Sequence, residues 1–153
     1  MTDSMLIAYD GSAEARLAIK AADRFMRVET AYILTAWEPV GRQAARTAGT
    51  SGMPQPEWSH AGGDDPAQAE AERISREGVA LAKEAGFDAE PYLVETESSI
   101  WSAIIDAALE LDVDVIVSGT RGSSGLRGLL STSTAEAVMK KSGKPVLIVP
   151  PEK

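Results

Sequence analysis

Short apolar runs that alternate with segments of helical periodicity are the feature that most constrains how this chain can fold. A short apolar run that ends at a turn signal is typical of a strand buried on both faces of a sheet. Such runs occupy 5–9, 30–37, 89–95, 113–118 and 145–149, and helical spacing of apolar residues occupies 13–27, 66–85, 98–111 and 133–142. Strands that alternate with helices predict a parallel sheet.

We therefore expect an α/β fold, with a doubly wound five-stranded parallel sheet, strand order 3-2-1-4-5 and helices on both faces. A chain of 153 residues suits one core, so residues 1–153 are predicted to form a single domain. One segment, at about 38–65, is rich in Gly and Pro and has little apolar periodicity. Loops of this length are usually functional lids or disordered inserts, and we interpret this one as a flexible insert.

Residues at the ends of the helical segments support these bounds. Ser12 is the predicted N-cap of the first helix, Pro66 suits the first turn of the second, and Gly86 suits its end. The apolar spacing of the first helix includes Phe25 and Met26. On the helix at 98–111 the predicted inner face carries Ile100, Trp101, Ile104, Ile105, Ala108 and Leu109.

Charge and composition exclude several classes of protein. Fifteen Lys and Arg against 23 Asp and Glu give a net charge of −8, and such a surface disfavours nucleic-acid binding because phosphates repel it. The chain has no cysteine, so disulfides and thiolate chemistry are excluded, and His60 is its single histidine. No secretory signal or membrane-spanning apolar stretch is visible, so we expect a cytoplasmic protein that makes no membrane contact.

Two unusual turns mark the expected ligand site. In doubly wound sheets, ligands bind beyond the carboxyl ends of the strands, where the strand order reverses. With the order 3-2-1-4-5 the reversal lies between the first and fourth strands. Their carboxyl ends carry Asp10-Gly11-Ser12 and Gly119-Thr120-Arg121-Gly122. We expect these two segments to form the walls of one site.

The second turn has a composition that suits phosphate. Glycines at 119, 122, 125 and 128 allow backbone N–H groups to approach an anion closely. The segment leads into Ser131-Thr132-Ser133-Thr134 at the start of a helix, where free N–H donors favour an anion. Candidate binding residues here are Gly119, Arg121, Gly122, Gly125, Arg127, Thr132, Ser133 and Thr134.

Purely structural interpretations of the same residues remain open. Ser133-Thr134-Ala135-Glu136 fits a capping box, the glycines suit a tight turn, and Asp10 suits a cap of the following helix. Other phosphate and metal motifs are absent from the sequence. It contains no P-loop, no G-x-G-x-x-G after the first strand, and no zinc-binding spacing of histidines and carboxylates.

The chain resembles the universal stress protein family over almost its whole length outside 38–65. The resemblance is carried by Leu6-Ile7-Ala8-Tyr9-Asp10-Gly11-Ser12, by the segment Asp112 to Gly122, and by Lys144-Pro145-Val146-Leu147-Ile148-Val149. The family's ATP-binding pattern is G, two residues, G, nine residues, then G and Ser or Thr. Gly119, Gly122 and Ser133 match it, whereas Thr132 stands where the family has glycine.

The resemblance implies roles for individual residues. Asp10 would contact the adenine or its neighbourhood, the Ala8 backbone would lie beneath the nucleotide, and the Trp37 backbone would hold the adenine edge. Gly119, Arg121 and Gly122 would wrap the ribose and phosphates, with Ser133 on the outer phosphates. The ligand would be ATP or a related adenine nucleotide, with Mg²⁺ as a possible companion. The resemblance also implies a homodimer through the apolar strand at 145–149, which is predicted at the sheet edge.

Three functions fit these features. The first is a nucleotide-binding stress-response module that acts as a homodimer. The second is a dimeric interaction protein of the same fold that binds no nucleotide. The third is a slow ATPase, which we rank last because Asp10 is the only acid at the proposed site and no other general base stands near the glycines. No catalytic residue and no permanently bound metal are predicted.

Overall fold

A five-stranded, all-parallel sheet forms the centre of the structure. The computed structural model describes residues 3–41, 65–96, 99–120 and 132–151, with only the backbone at 132 and 133. The strands are β1 (Ser4–Ala8), β2 (Thr30–Trp37), β3 (Asp88–Glu95), β4 (Val115–Gly119) and β5 (Val146–Val149). The helices are α1 (Ala13–Phe25), α2 (Pro66–Glu84), α3 (Ile100–Leu111) and α4 (Thr132–Ser142). The strand order is β3-β2-β1-β4-β5, as predicted.

The four helices cover the two faces of the sheet in pairs. One core cluster joins α1 and α2 to the sheet and includes Met5, Ile7 and Ile33. The other joins α3 and α4 to the opposite face and includes Leu6 and Leu34. Successive residues of β1 therefore point into different cores, and Met5, Leu6 and Ile7 are all fully buried. This explains why the strand is apolar without alternation, as expected for a central parallel strand.

The helix ends carry the residues that the sequence assigned to them. The Ser12 hydroxyl accepts a hydrogen bond from the Ala15 N–H at 3.1 Å and is the N-cap of α1. Pro66 occupies the first turn of α2, where an N–H would have no helical partner. Gly86 follows α2 with φ of +102°, a conformation that a side chain disfavours, so the helix ends there.

Two apolar residues lie on the surface instead of on an inner face. Leu109 on α3 is 52% exposed, although its spacing assigned it to the core. The stripe of apolar residues on α3 is wider than the surface it covers, because Ala107 and Ala108 already fill the contact with the sheet. Phe25 is the last residue of α1 and is 67% exposed, with the Arg24 guanidinium 5.2 Å from its ring centroid.

Asp65 fastens the two ends of the predicted insert to each other. Its carboxylate caps α2 by accepting a hydrogen bond from the Ala67 N–H at 2.9 Å. The same carboxylate accepts a hydrogen bond from the Val40 N–H at 3.1 Å. Residues 42–64 lie outside the described residues, so the flexibility predicted for the insert stays a prediction. The described ends at residues 40 and 65 are held together by one side chain.

This double role predicts different costs for two substitutions at Asp65. Asp65→Ala removes both the cap of α2 and the bond to Val40, and we expect it to lower the free energy of unfolding by about 1–2 kcal/mol. Asp65→Ser is the control, because serine can still cap the helix but is too short to serve both donors. Asp65→Ser should lower the free energy of unfolding by less than Asp65→Ala does, as measured by urea unfolding followed by circular dichroism. Equal costs would show that the contact with Val40 contributes nothing.

Candidate functional site

The carboxyl ends of β1 and β4 lie next to each other, at the end of the sheet where the parallel strands finish. Met5 to Ile7 of β1 pair in register with Val115 to Val117 of β4. The helix that follows β1 packs on one face of the sheet and the helix that follows β4 packs on the other. The chain thus leaves the two strands in opposite directions, which opens a crevice between them. Ala8, the last residue of β1, is 1% exposed and lies at the base of this crevice.

Asp10 shapes the turn that follows β1. Its Oδ1 accepts a hydrogen bond from the Ser12 N–H at 2.9 Å, and Gly11 between them adopts φ of +82°. The interpretation of Asp10 as the helix cap is therefore wrong, because Ser12 fills that position. Asp10 Oδ2 has no hydrogen-bond partner among the described residues, so one carboxylate oxygen at the crevice is available to a ligand.

Gly119 forms the other side of the crevice and is there for a packing reason. A Cβ at this position would lie 2.6 Å from the Glu14 carbonyl oxygen, in the first turn of α1. No side chain of any size fits in that space unless α1 moves. The Gly119 carbonyl accepts a hydrogen bond from the Ser118 hydroxyl at 2.9 Å. Glycine at 119 thus allows α1 to approach β4 closely, whatever else it contacts.

Thr120, the next residue, was not among the predicted site residues. Its N–H donates to the Val149 carbonyl at 3.0 Å, which extends the β4–β5 ladder by one residue. Its Oγ1 is buried and has no hydrogen-bond partner among the described residues. Unsatisfied buried hydroxyls are uncommon in folded proteins. A hydroxyl directly after the strand-end glycine was the only sequence signal for it.

Trp37 is the last residue of β2 and lies at the same carboxyl end of the sheet. Its carbonyl accepts hydrogen bonds from both the N–H of Thr96, at 2.8 Å, and the Thr96 hydroxyl, at 3.2 Å. These bonds fix the end of β2 against the end of β3. The side chain of Trp37 is partly buried. Trp37 is thus at the predicted end of the sheet, and its contact with an adenine remains a prediction.

The remaining predicted site residues belong to the second half of the glycine segment. Arg121, Gly122, Gly125 and Arg127 lie outside the described residues. The backbone of α4 begins at Thr132 and continues through Ser133 and Thr134, and the side chain of Thr134 is partly buried. The helix therefore starts within the run of hydroxyl residues, one residue before the predicted position.

The capping-box interpretation of this segment does not fit α4. The helix starts one residue earlier than predicted, so Ser133 lies inside its first turn. Glu136 would have to reach back to the cap, but its Oε1 lies 2.7 Å from Lys140 Nζ, one turn further along the helix. Ala135 is 8% exposed and packs in the core shared with α3.

A polar cluster beside the crevice was also missed. The Tyr9 hydroxyl donates to Glu77 Oε1 at 2.5 Å, and Arg16 Nη2 donates to the same oxygen at 2.6 Å. Burial, together with the hydrogen bond to Glu77, raises the pKa of Tyr9 to about 12. The Tyr9 hydroxyl and the Arg16 guanidinium hold the pKa of Glu77 below its usual value. Along the chain, Glu77 lies 68 positions from Tyr9 and 61 positions from Arg16, so no local sequence pattern could reveal these contacts.

The described residues also limit what the site can contain. Among them, no three His, Cys, Asp or Glu side chains are grouped in a way that could hold a metal ion. No described helix is long and apolar enough to cross a membrane. The described turns after β1 and β4 contain the Asp10 carboxylate, the buried Thr120 hydroxyl and backbone groups, all of which can form hydrogen bonds.

Comparison with known proteins identifies the family. The model of the universal stress protein family matches residues 1–150. The chain belongs to the universal stress protein family. Its sheet order and its two helical layers are therefore those of a family fold, and the resemblance noted from the sequence is confirmed.

Three relatives illustrate how similar this chain is to other members of the universal stress protein family. Universal stress protein MJ0577 of Methanocaldococcus jannaschii is 44% identical over 46 residues, which are 30% of this chain and 28% of that protein. Its solved structure matches with 25% identity and a TM-score of 0.64, over 100% of this chain and 99% of that one.

Two further solved structures of the family are complexes with a nucleotide. One is a universal stress protein in complex with cAMP, 27% identical, with a TM-score of 0.61 and 97% of each chain covered. The other is the universal stress protein from Archaeoglobus fulgidus in complex with dAMP, 20% identical, with a TM-score of 0.64 over 97% of this chain and 98% of that one. The second likeness is evidence for the fold alone.

The packing of Gly119 against α1 gives a test that needs no ligand. Gly119→Ala should lower the free energy of unfolding by about 1–3 kcal/mol, because the new methyl group meets a helix backbone that cannot rotate away. Gly41→Ala is the matched control, since a Cβ there meets nothing within 4 Å, and it should change stability by no more than about 0.5 kcal/mol. Urea unfolding measures both. Equal stability of the two variants would contradict the close approach.

Proposed function

We propose that this protein is a stress-response module that binds ATP or a related adenine nucleotide and acts as a homodimer. The observation that carries the proposal is the meeting of two turns at the reversal of strand order. One turn presents Asp10 Oδ2, which has no hydrogen-bond partner among the described residues, and the other begins at Gly119. Membership of a family that includes a cAMP complex at 27% identity supports an adenine nucleotide as the ligand.

The proposed roles are those that the family resemblance implies for the residues around the crevice. The nucleotide lies over Ala8, with Asp10 hydrogen-bonded to the adenine or its neighbourhood and the Trp37 backbone along the adenine edge. Gly119 begins the segment that wraps the ribose and phosphates, and the backbone of Ser133 and Thr134 faces the outer phosphates from the start of α4. Arg121, Gly122, Gly125, Arg127 and Thr132 complete the proposed set.

Mg²⁺ would enter with the nucleotide. Magnesium commonly binds through one or two carboxylates together with phosphate oxygens and water. Asp10 is the one carboxylate in the described turn after β1, and no metal-binding group of three acids occurs among the described residues, so phosphate oxygens and water would provide most of the ligands. The same scarcity of acids argues against efficient hydrolysis, since Asp10 would have to serve as metal ligand and general base together. We propose binding, and not turnover, as the function.

The homodimer is proposed to form through β5. Both β3 and β5 are edges of the sheet. On β3, Asp88 and Thr96 donate to β2, so Pro91 faces the open edge and offers no N–H there, with the exposed carboxylate of Glu90 beside it. β5 consists of Val146 to Val149, all partly exposed and all apolar. An edge without such protection favours pairing with a second copy.

Nucleotide binding is tested by isothermal titration of the protein with ATP and AMP, with and without Mg²⁺. We expect saturable heat for the wild type and at least a tenfold weaker affinity for Asp10→Ala, which loses a charge-assisted hydrogen bond of about 1.5–3 kcal/mol. Asp23→Ala is the control, because Asp23 is an exposed acid near the far end of α1. Absence of heat at millimolar nucleotide would leave the dimeric interaction protein as the better hypothesis.

Dimerisation is tested by sedimentation velocity at micromolar concentration. We expect a dimer for the wild type and a monomer for Ile148→Pro. Pro145 and Val149 accept hydrogen bonds from β4, so the N–H of Ile148 points to the open edge, and its removal leaves the β4 ladder intact. Leu109→Ser, at an exposed apolar residue on α3, should remain dimeric. A monomeric wild type would refute this part of the proposal.

A further inference from the structure

The helix α2 contacts the turn of Asp10 at three points. The Ile74 side chain lies 3.6 Å from where a Cβ of Gly11 would be. Gly78 supports the Tyr9 ring so closely that a Cβ there would lie 2.6 Å from Tyr9 Cδ1. Glu77 accepts the hydrogen bond of the Tyr9 hydroxyl. Tyr9 directly precedes Asp10, so α2 holds the chain on both sides of the residue proposed to contact the nucleotide.

Glu77 extends this contact to the other wall of the crevice. Its Oε1 accepts two hydrogen bonds from Arg16, from Nε at 3.2 Å and from Nη2 at 2.6 Å. Arg16 lies in the first turns of α1, the same stretch whose Glu14 carbonyl packs against Gly119. A continuous series of contacts therefore leads from α2, through Glu77, to the turns after β1 and β4.

We propose that Glu77 is a positioning residue for the nucleotide crevice: one carboxylate oxygen fixes Tyr9 and Arg16 together, and so sets the Asp10 turn and the start of α1 against α2. This inference rests on the proposed function, since it assigns a role within the same site.

The geometry favours positioning over a simple contribution to stability. The side chains of Glu77 and Arg16 are 32% and 49% exposed, and ion pairs with that exposure contribute little to folding. Tyr9, by contrast, is 2% exposed, and its ring and hydroxyl each have one fixed partner on α2. Its carbonyl also accepts a hydrogen bond from the Thr35 hydroxyl at 3.1 Å. These contacts thus hold Tyr9, and with it the start of the turn, in one position.

The first test reads the turn itself and needs no nucleotide. The Ser12 amide, which donates to Asp10, should exchange with solvent at least fivefold faster in Glu77→Ala, measured residue by residue by NMR. Glu77→Gln keeps an oxygen acceptor and should restore most of the protection. Glu84→Ala is the control, because it removes an exposed carboxylate at the far end of the same helix. Unchanged exchange of Ser12 in Glu77→Ala would overturn the proposal.

The second test measures the affinity for AMP by titration at a temperature where every variant is fully folded. We expect Glu77→Ala to weaken binding at least fivefold, Glu77→Gln to weaken it less, and Glu84→Ala to leave it unchanged. If the wild type and Glu77→Ala bind equally well, the positioning role is refuted and the proposed function stands. If the wild type does not bind, the proposed function fails, and the exchange of the Ser12 amide alone decides the role of Glu77.

Discussion

The direction in which the chain winds around β1 determines nearly everything about this molecule. From β1 the chain moves through β2 to β3 on one side, and then returns to place β4 and β5 on the other side. Right-handed crossovers require that the helices of the two movements lie on opposite faces. The two core clusters have this composition, with α1 and α2 in one and α3 and α4 in the other. The crevice between β1 and β4 is a geometric result of that reversal.

Close packing at two glycines then shapes the surroundings of the crevice. Gly119 allows the first turn of α1 to reach β4, and Gly78 allows α2 to reach the Tyr9 ring. At both glycines a neighbouring part of the protein occupies the place that a side chain would take. The space beside the crevice is therefore filled by main chain and by the buried ring of Tyr9. A packing arrangement of this kind has few ways to adjust, because interiors are already filled to near crystal density.

The sequence was sufficient for the fold and for the adjacent positions of β1 and β4, because apolar period and strand order are collective properties of many residues. It was insufficient wherever one contact decided the outcome. Leu109 has the right spacing for a core residue, but neighbouring alanines take the available contact. Asp112 ends α3 with φ of 48°, a conformation for which glycine is the usual signal. The Glu77 cluster joins three separate elements, and no stretch of sequence contains its pattern.

The hydrogen bonds of Asp65 have a consequence for how this chain can change in length. Val40 and Asp65 are held together, and if the segment between them is flexible as predicted, the entropy of closing it would depend only weakly on its number of residues. Each doubling of a flexible loop costs only about 0.6 kcal/mol. Insertions and deletions between these two points are thus thermodynamically cheap. The turn from Tyr9 to Ser12 has no such freedom, so related chains should vary in length at the first place and keep it constant at the second.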